Sequence, residues 1–225
     1  MSNLDFVKSL HREDWHVKKF DEFHVAIEKT KKECPDLSRM NEFVFMLSRF
    51  MIAFLRIPSF FDKDRNTSER YSQSLVFTCF LESLRNSYCT VYLSACGLYK
   101  NAYHNIRYEL ESVIQASYFD SNCPHDDFPM KIAMLEEAED KREFNFSRLT
   151  EKLHINLGYK KETIEAIMEE WGKLSKKVHS KHYQFVATST NFMDCGYETV
   201  YVDCEEVKSI YESMRVLHDI FSFSF

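Results

Sequence analysis

The chain has 225 residues, enough for one large domain or two small ones, and at that length it can bury a core without metal or disulfide staples. Only 4 Gly and 4 Pro punctuate it, too few for many strands joined by tight turns, so long helices are the economical reading; 20 Phe and 12 Tyr promise an aromatic core. A formal charge of −6 counts against a freely basic nucleic-acid binder, although it leaves room for a local basic patch.

In chain order, apolar Phe6, Leu10, Phe20, Phe23 and Ile27 stand among charges over 3–32, which predicts a surface helix. The first fifteen residues have no apolar signal core. Pro35-Asp36 punctuates, and Asp36 or Ser38 is placed to cap a helix running to Arg56. The apolar run from Phe43 to Leu55 is interrupted by Arg49, so it is too short and too charged to span a bilayer. Pro58 to Thr67 reads as a loop, followed by a helix from near Ser68 to Ala95. Gly97 marks a turn before a helix over 98–120, and Asn122 to Pro129 is the clearest break.

Beyond it come a charged helix over 130–144, a short one over 147–156 and a long one over 160–182. Residues 183–203 lose helical periodicity; Phe185-Val186-Ala187-Thr188 and Thr199-Val200-Tyr201-Val202 predict a small β-hairpin about Asp194-Cys195-Gly196. A last helix starts near Cys204 and ends in a Phe/Ser tail. With no repeat, low-complexity stretch or long linker, residues 1–225 read as a single helical domain, with helices within 3–57 as additional packing elements. The seven cysteines are scattered without a Cys-x-x-Cys pair, which predicts reduced thiols and a cytoplasmic setting.

Two clusters carry the chemistry. At about 100° per residue, Lys100, His104, Arg107, Glu111 and Gln115 fall within roughly 80° of helix circumference. The plain reading is a solvated face with an Arg107–Glu111 pair at i,i+4. The sharper one makes Arg107 an anion ligand held by Glu111, since its planar fork donates two parallel hydrogen bonds. The second cluster is Trp171-Gly172-Lys173-Leu174-Ser175-Lys176-Lys177-Val178-His179-Ser180. Trp171, Leu174 and Val178 form an apolar seam with Ser175, His179 and His182 beside it, while Lys173, Lys177 and Lys181 lie opposite. Lysines at the end of a helix whose first half is acidic complement its dipole. His179 is either a border histidine bonded within the fold or a general acid or base. His179 and His182 have no companion cysteine or carboxylate at ligand spacing, so neither metal nor cofactor is expected.

Leu93-Ser94-Ala95-Cys96-Gly97-Leu98-Tyr99-Lys100-Asn101-Ala102, followed by Arg107 and Glu111, resembles a helix pair of HEPN-like prokaryotic proteins. Trp171-x-x-Leu-Ser-x-x-Val-His179-Ser180 is similar to the aromatic-x-x-Leu-Ser-x-x-Val-His block of the same group. Together the two pieces bracket residues 70–182. The resemblance implies an all-α, up-and-down helical bundle, usually a homodimer, often in defence or toxin–antitoxin systems. Many such proteins are metal-independent ribonucleases with an Arg-x(4–6)-His motif across a dimer interface. Here Lys173 stands where an arginine would precede His179, and the arginine that does precede a histidine at that spacing is Arg148, ahead of His154.

Two functions follow as expectations. In an RNA-directed nuclease, Arg107, Glu111 and His179 are the catalytic candidates; His104, Ser175, Lys173 and Lys176 are the substrate-binding ones. In the alternative, a non-catalytic module, the aromatic helices dimerise or bind a partner protein and the polar stripes are structural.

Overall fold

The structure is a computed structural model describing residues 24–25, 27–61, 73–140, 145–157, 159–179 and 202–224. The chain is all-α: among the described residues seven helices, α1 Pro35–Phe61, α2 Leu75–Ala95, α3 Tyr99–Asn122, α4 Phe128–Asp140, α5 Phe146–Leu157, α6 Lys161–His179 and α7 Cys204–Ser224, follow a helical stretch over 27–33. No strand occurs among the described residues, and no helix there is long and apolar enough to cross a membrane. The two strands expected over 183–203 fall almost wholly outside the described residues, whereas Val202 and Asp203 are non-helical lead-in to α7.

Helix α3 is the axis of the bundle, packing against α2, α4, α5, α6 and α7, while α1 packs on α2 and α7. Its sequence explains that place. Ala102, Tyr103, Ile106, Leu110, Val113 and Ile114 repeat at helical spacing and are all buried, meeting Leu149, Leu153, Ile167, Leu174, Ile210 and Met214 in one core. A smaller apolar cluster of Leu75, Val76, Ala116 and Phe119 seats Phe128, Ile132 and Leu135 of α4.

The junction between α2 and α3 is a tight reversal. Leu98 N–H donates to the Leu93 carbonyl at 2.8 Å and Gly97 N–H to Ser94 at 3.1 Å, the paired bonds of a Schellman motif. Gly97 has φ 71°, a left-handed conformation where a side chain would be strained, and so occupies the expected turn. The antiparallel pair it creates has a polar seam: Ser83 bonds Glu109, and Asn105 bonds both the Asn86 carbonyl and Thr90.

Helix ends follow local side chains. Ser74 caps α2, accepting from Phe77 N–H at 3.1 Å, so α2 starts later than the expected Ser68. Asp120 of α3 supports that same end, accepting from Leu75 and Val76 N–H, the Ser74 hydroxyl and the buried Lys131 ammonium. Asp127 accepts from Met130 N–H, Asn145 from Arg148 N–H, and Asp203 from Glu205 and Glu206 N–H, opening α4, α5 and α7.

Three expectations fail. Helix α1 begins at Pro35, the helical position that best tolerates a proline, rather than at an Asp36 or Ser38 cap. It also runs through Pro58 to Phe61 instead of ending at Arg56, even though a proline there cannot donate to the carbonyl four residues earlier. Cys34 and Cys204 form a disulfide across 170 residues of sequence, so the reading of every thiol as reduced does not hold. In the chain-entropy model so long a loop is worth on the order of 5 kcal/mol. Cys79, Cys89, Cys96 and Cys123 are free thiols.

Candidate functional site

The site lies where α3 crosses α6, and each helix supplies it from the flank of its buried stripe. On α3, burying Ile106, Leu110 and Val113 turns Arg107 and Glu111 to the margin facing α6. On α6, burying Ile167, Leu174 and Val178 turns Trp171, Ser175 and His179, spaced at i,i+4, toward α3.

Arg107 is gripped from several sides. Its Nε and Nη2 each lie 2.9 Å from Glu111 Oε1, and Trp171 Nε1 donates to that same oxygen at 2.8 Å. The guanidinium carbon sits 5.5 Å from the Trp171 ring centre, within cation–π range. The indole stacks on Phe146 of α5, with centroids 5.0 Å apart and planes 10° from parallel. Arg107 Nη1 then contacts His179 Nε2. The pair is therefore no freely solvated surface feature: the Arg107 side chain is 18% exposed and that of Glu111 32%.

A guanidinium only donates, so the contact requires a lone pair on His179 Nε2, and the ring proton is assigned to Nδ1. Of the five N–H bonds on Arg107, two engage Glu111 and one His179; the other two meet no acceptor among the described residues and suit an incoming anion. His179 is the last residue of α6 and is exposed, so the arginine–histidine pair opens to solvent while Glu111 and Trp171 beneath it are partly covered. An anchored cation beside an imidazole lone pair can hold a phosphodiester and accept a proton from a neighbouring hydroxyl.

The remaining candidates fall in different places. Ser175 lies between Trp171 and His179 on the same face; its hydroxyl is buried and has no hydrogen-bond partner among the described residues. His104 is exposed one turn before Arg107, and Lys176 is exposed one turn after Gly172. Lys173 is turned toward α7, 3.4 Å from Ser213 Oγ and 3.7 Å from Glu170, so the fold does not bring it to Arg107. Lys177 also faces α7, donating to Glu206 at 2.6 Å and lying over the Tyr103 ring. Arg148 is exposed on α5, while the side chain of His154 and residues His182 and Lys181 are outside the described residues.

Sequence reasoning missed the two aromatic supports as parts of the site. Trp171 was legible as an anchor, but its N–H to Glu111 depends on how α6 is registered on α3; Phe146 carried no signal beyond its apolarity. It also left Glu109 unread. That carboxyl faces α2, buried, with Ser83 Oγ donating to it at 2.9 Å. Burial pushes it up to about 8, the Ser83 bond opposing and the nearby Glu82 charge adding. Among the described residues no trio of His, Cys, Asp or Glu gathers at metal-binding distance.

No protein-family model, curated protein or solved structure matches the chain.

Proposed function

We propose that the chain is an RNA-directed, HEPN-like protein whose Arg107–Glu111–His179 cluster cleaves phosphodiesters without a metal. The observation that carries the reading is the contact of Arg107 with His179, two residues 72 apart in sequence, at the open end of an otherwise buried crossing. Arg107 holds a non-bridging phosphate oxygen through its two unengaged N–H bonds, and Glu111 and Trp171 keep the fork in place. Phosphate binding draws the Arg107 Nη1–H off His179 Nε2, and the freed lone pair takes the proton from the ribose 2′-hydroxyl, whose oxygen attacks phosphorus as the 5′-oxygen leaves, protonated by water. His104, Ser175 and Lys176 are the secondary contacts. The working form in this reading is a cytoplasmic homodimer acting in a defence or toxin–antitoxin setting, with RNA as its partner.

Incubation of the purified protein with total RNA and a tRNA pool, in chelator, beside His179→Ala tests it. Specific cleavage that disappears in the variant is expected; equal cleavage by both proteins overturns the assignment.

A second reading, a non-catalytic dimerisation or protein-interaction module, is favoured by one feature. Leu81, Tyr88 and Tyr92 on α2, with Phe45 and Met46 on α1, are exposed large apolar side chains. Cleavage by neither protein, with loss of self-association or partner capture in Tyr88→Glu, selects this reading.

A further inference from the structure

The disulfide sits at the head of a short chain of contacts that ends at His179. Cys34 immediately precedes α1 and is fully buried, its N–H bonded to the Thr30 carbonyl at 2.8 Å. Cys204, half-buried, is the first residue of α7. The cross-link thus fixes the α7 N-terminus against the entry to α1. Asp203, one residue earlier, donates its N–H to Tyr99 Oη at 2.7 Å. Glu206, two residues later, accepts from Tyr103 Oη at 2.5 Å and from Lys177 Nζ at 2.6 Å. Lys177 belongs to the last turn of α6, the turn that ends in His179. The last residues before His179 are therefore held on the α7 side by Glu206 and on the α3 side by Arg107.

We propose that the Cys34–Cys204 bond is a redox-sensitive clamp that sets the order of the His179 turn and so the activity of the cluster. The regulatory role rests on the proposed cleavage reaction; the mechanical coupling does not. A dithiol reductant attacks the more accessible sulfur, that of Cys204, breaking the S–S bond and forming a mixed disulfide while Cys34 leaves as a thiolate. The reductant's second thiol then closes its own disulfide, releasing Cys204. Two electrons pass from the dithiol to the protein, which ends with two protonated thiols. Freed of the cross-link, the α7 N-terminus relies on its cap and on Tyr99, and its hold on Lys177 weakens. The interior of α7 is anchored independently, since Val207, Ile210, Met214 and Leu217 are all in the core. The effect of reduction is therefore local to the end that carries Glu206.

The test is hydrogen exchange on the full chain, oxidised and dithiol-reduced, with alkylation and intact mass to count thiols. Reduction is expected to speed exchange of amides 176–179, 205 and 206 on the order of tenfold, with α2 and the middle of α3 unchanged and full reversal on reoxidation. Glu206→Gln is expected to loosen 176–179 even with the disulfide intact, because it weakens the Lys177 contact without touching the bond. Unchanged exchange at 176–179 on reduction overturns the clamp. Acceleration throughout the bundle also overturns it, leaving a plain structural staple. RNA cleavage by the two redox forms is the separate arm: a rate difference that follows the exchange change supports regulation, and equal rates overturn it. If neither form cleaves RNA, the proposed reaction and its regulation fall together, and the exchange result alone decides the coupling.

Discussion

Replacing Glu109 by Gln should stabilise the protein at neutral and alkaline pH and leave it nearly unchanged near pH 4.5. The carboxyl is held at about 8 in the folded protein against an ordinary 4.5, chiefly by burial between α2 and α3. Between those values the native state keeps a proton that the unfolded chain has released, so stability falls as pH rises. Each pH step of one across that range costs about 1.4 kcal/mol, so the penalty reaches about 3 kcal/mol at pH 7 and stops growing above pH 8. That is a large share of the 5–15 kcal/mol typical of a domain. The glutamine amide still accepts from Ser83 and never ionises, so its advantage should grow through the same range.

His218 of α7 works in the opposite sense. It lies 3.2 Å from Ser87 Oγ and meets the Phe43 ring edge-on at 5.2 Å, and burial pushes its imidazole down to about 4. Here the unfolded chain takes a proton below pH 6.5 that the folded state refuses, so stability falls on acidification from 6.5 toward 4. Between about pH 4.5 and 6.5 the two slopes cancel, and together these groups contribute a plateau. Glu109→Gln should expose the rising limb in that range and His218→Gln the falling one. Urea unfolding at half-unit pH steps reads both through the midpoint at constant slope. If the wild type and Glu109→Gln stay parallel from pH 5 to 8, the buried carboxyl is already ionised and the reasoning fails.

Gly97→Ala should cost about 1–2 kcal/mol, because its φ of 71° is left-handed, and lower Tm by several degrees in calorimetry. Asp120→Asn leaves the buried Lys131 ammonium without its counter-charge; a loss of about 3–5 kcal/mol is expected, with fast hydrogen exchange concentrated in α4. Trp171→Phe keeps a ring to stack on Phe146 but removes the donor to Glu111, so about 1 kcal/mol is lost in urea unfolding. If indole shape rather than its N–H matters, that substitution and Glu111→Gln will be additive rather than coupled in a double-mutant cycle.

The helices were legible wherever one face alone is apolar. Helices α5, α6 and α7 follow from periodicity, and Gly97 announced its turn. Boundaries slipped where the deciding group is distant or ambiguous. The end of α2 is fastened by Asp120, some forty residues later, and Pro58 lies inside a helix that its residue type argues against. The disulfide was invisible for the same reason: pairing depends on Cα separation, here 5.1 Å, and spacing in sequence carries no such information.

Within the candidate site the sequence supplied two half-sites and no register. Each stripe could be drawn from 3.6-residue geometry, Arg107 with Glu111 on one helix and Trp171, Ser175 and His179 on the other. Which turn of α6 meets which turn of α3 is set by core residues such as Ile106, Leu110, Leu174 and Val178, whose apolar faces look alike at any register. The lysines show the converse. Lys177 lies nearer to His179 in sequence than Ser175 does, yet its position around the helix sends it, like Lys173, to α7, where Glu206 takes Lys177 into a structural contact. Sequence neighbours of a histidine thus divide by angle into site and scaffold, and the scaffold half ties His179 to the helix that the disulfide anchors.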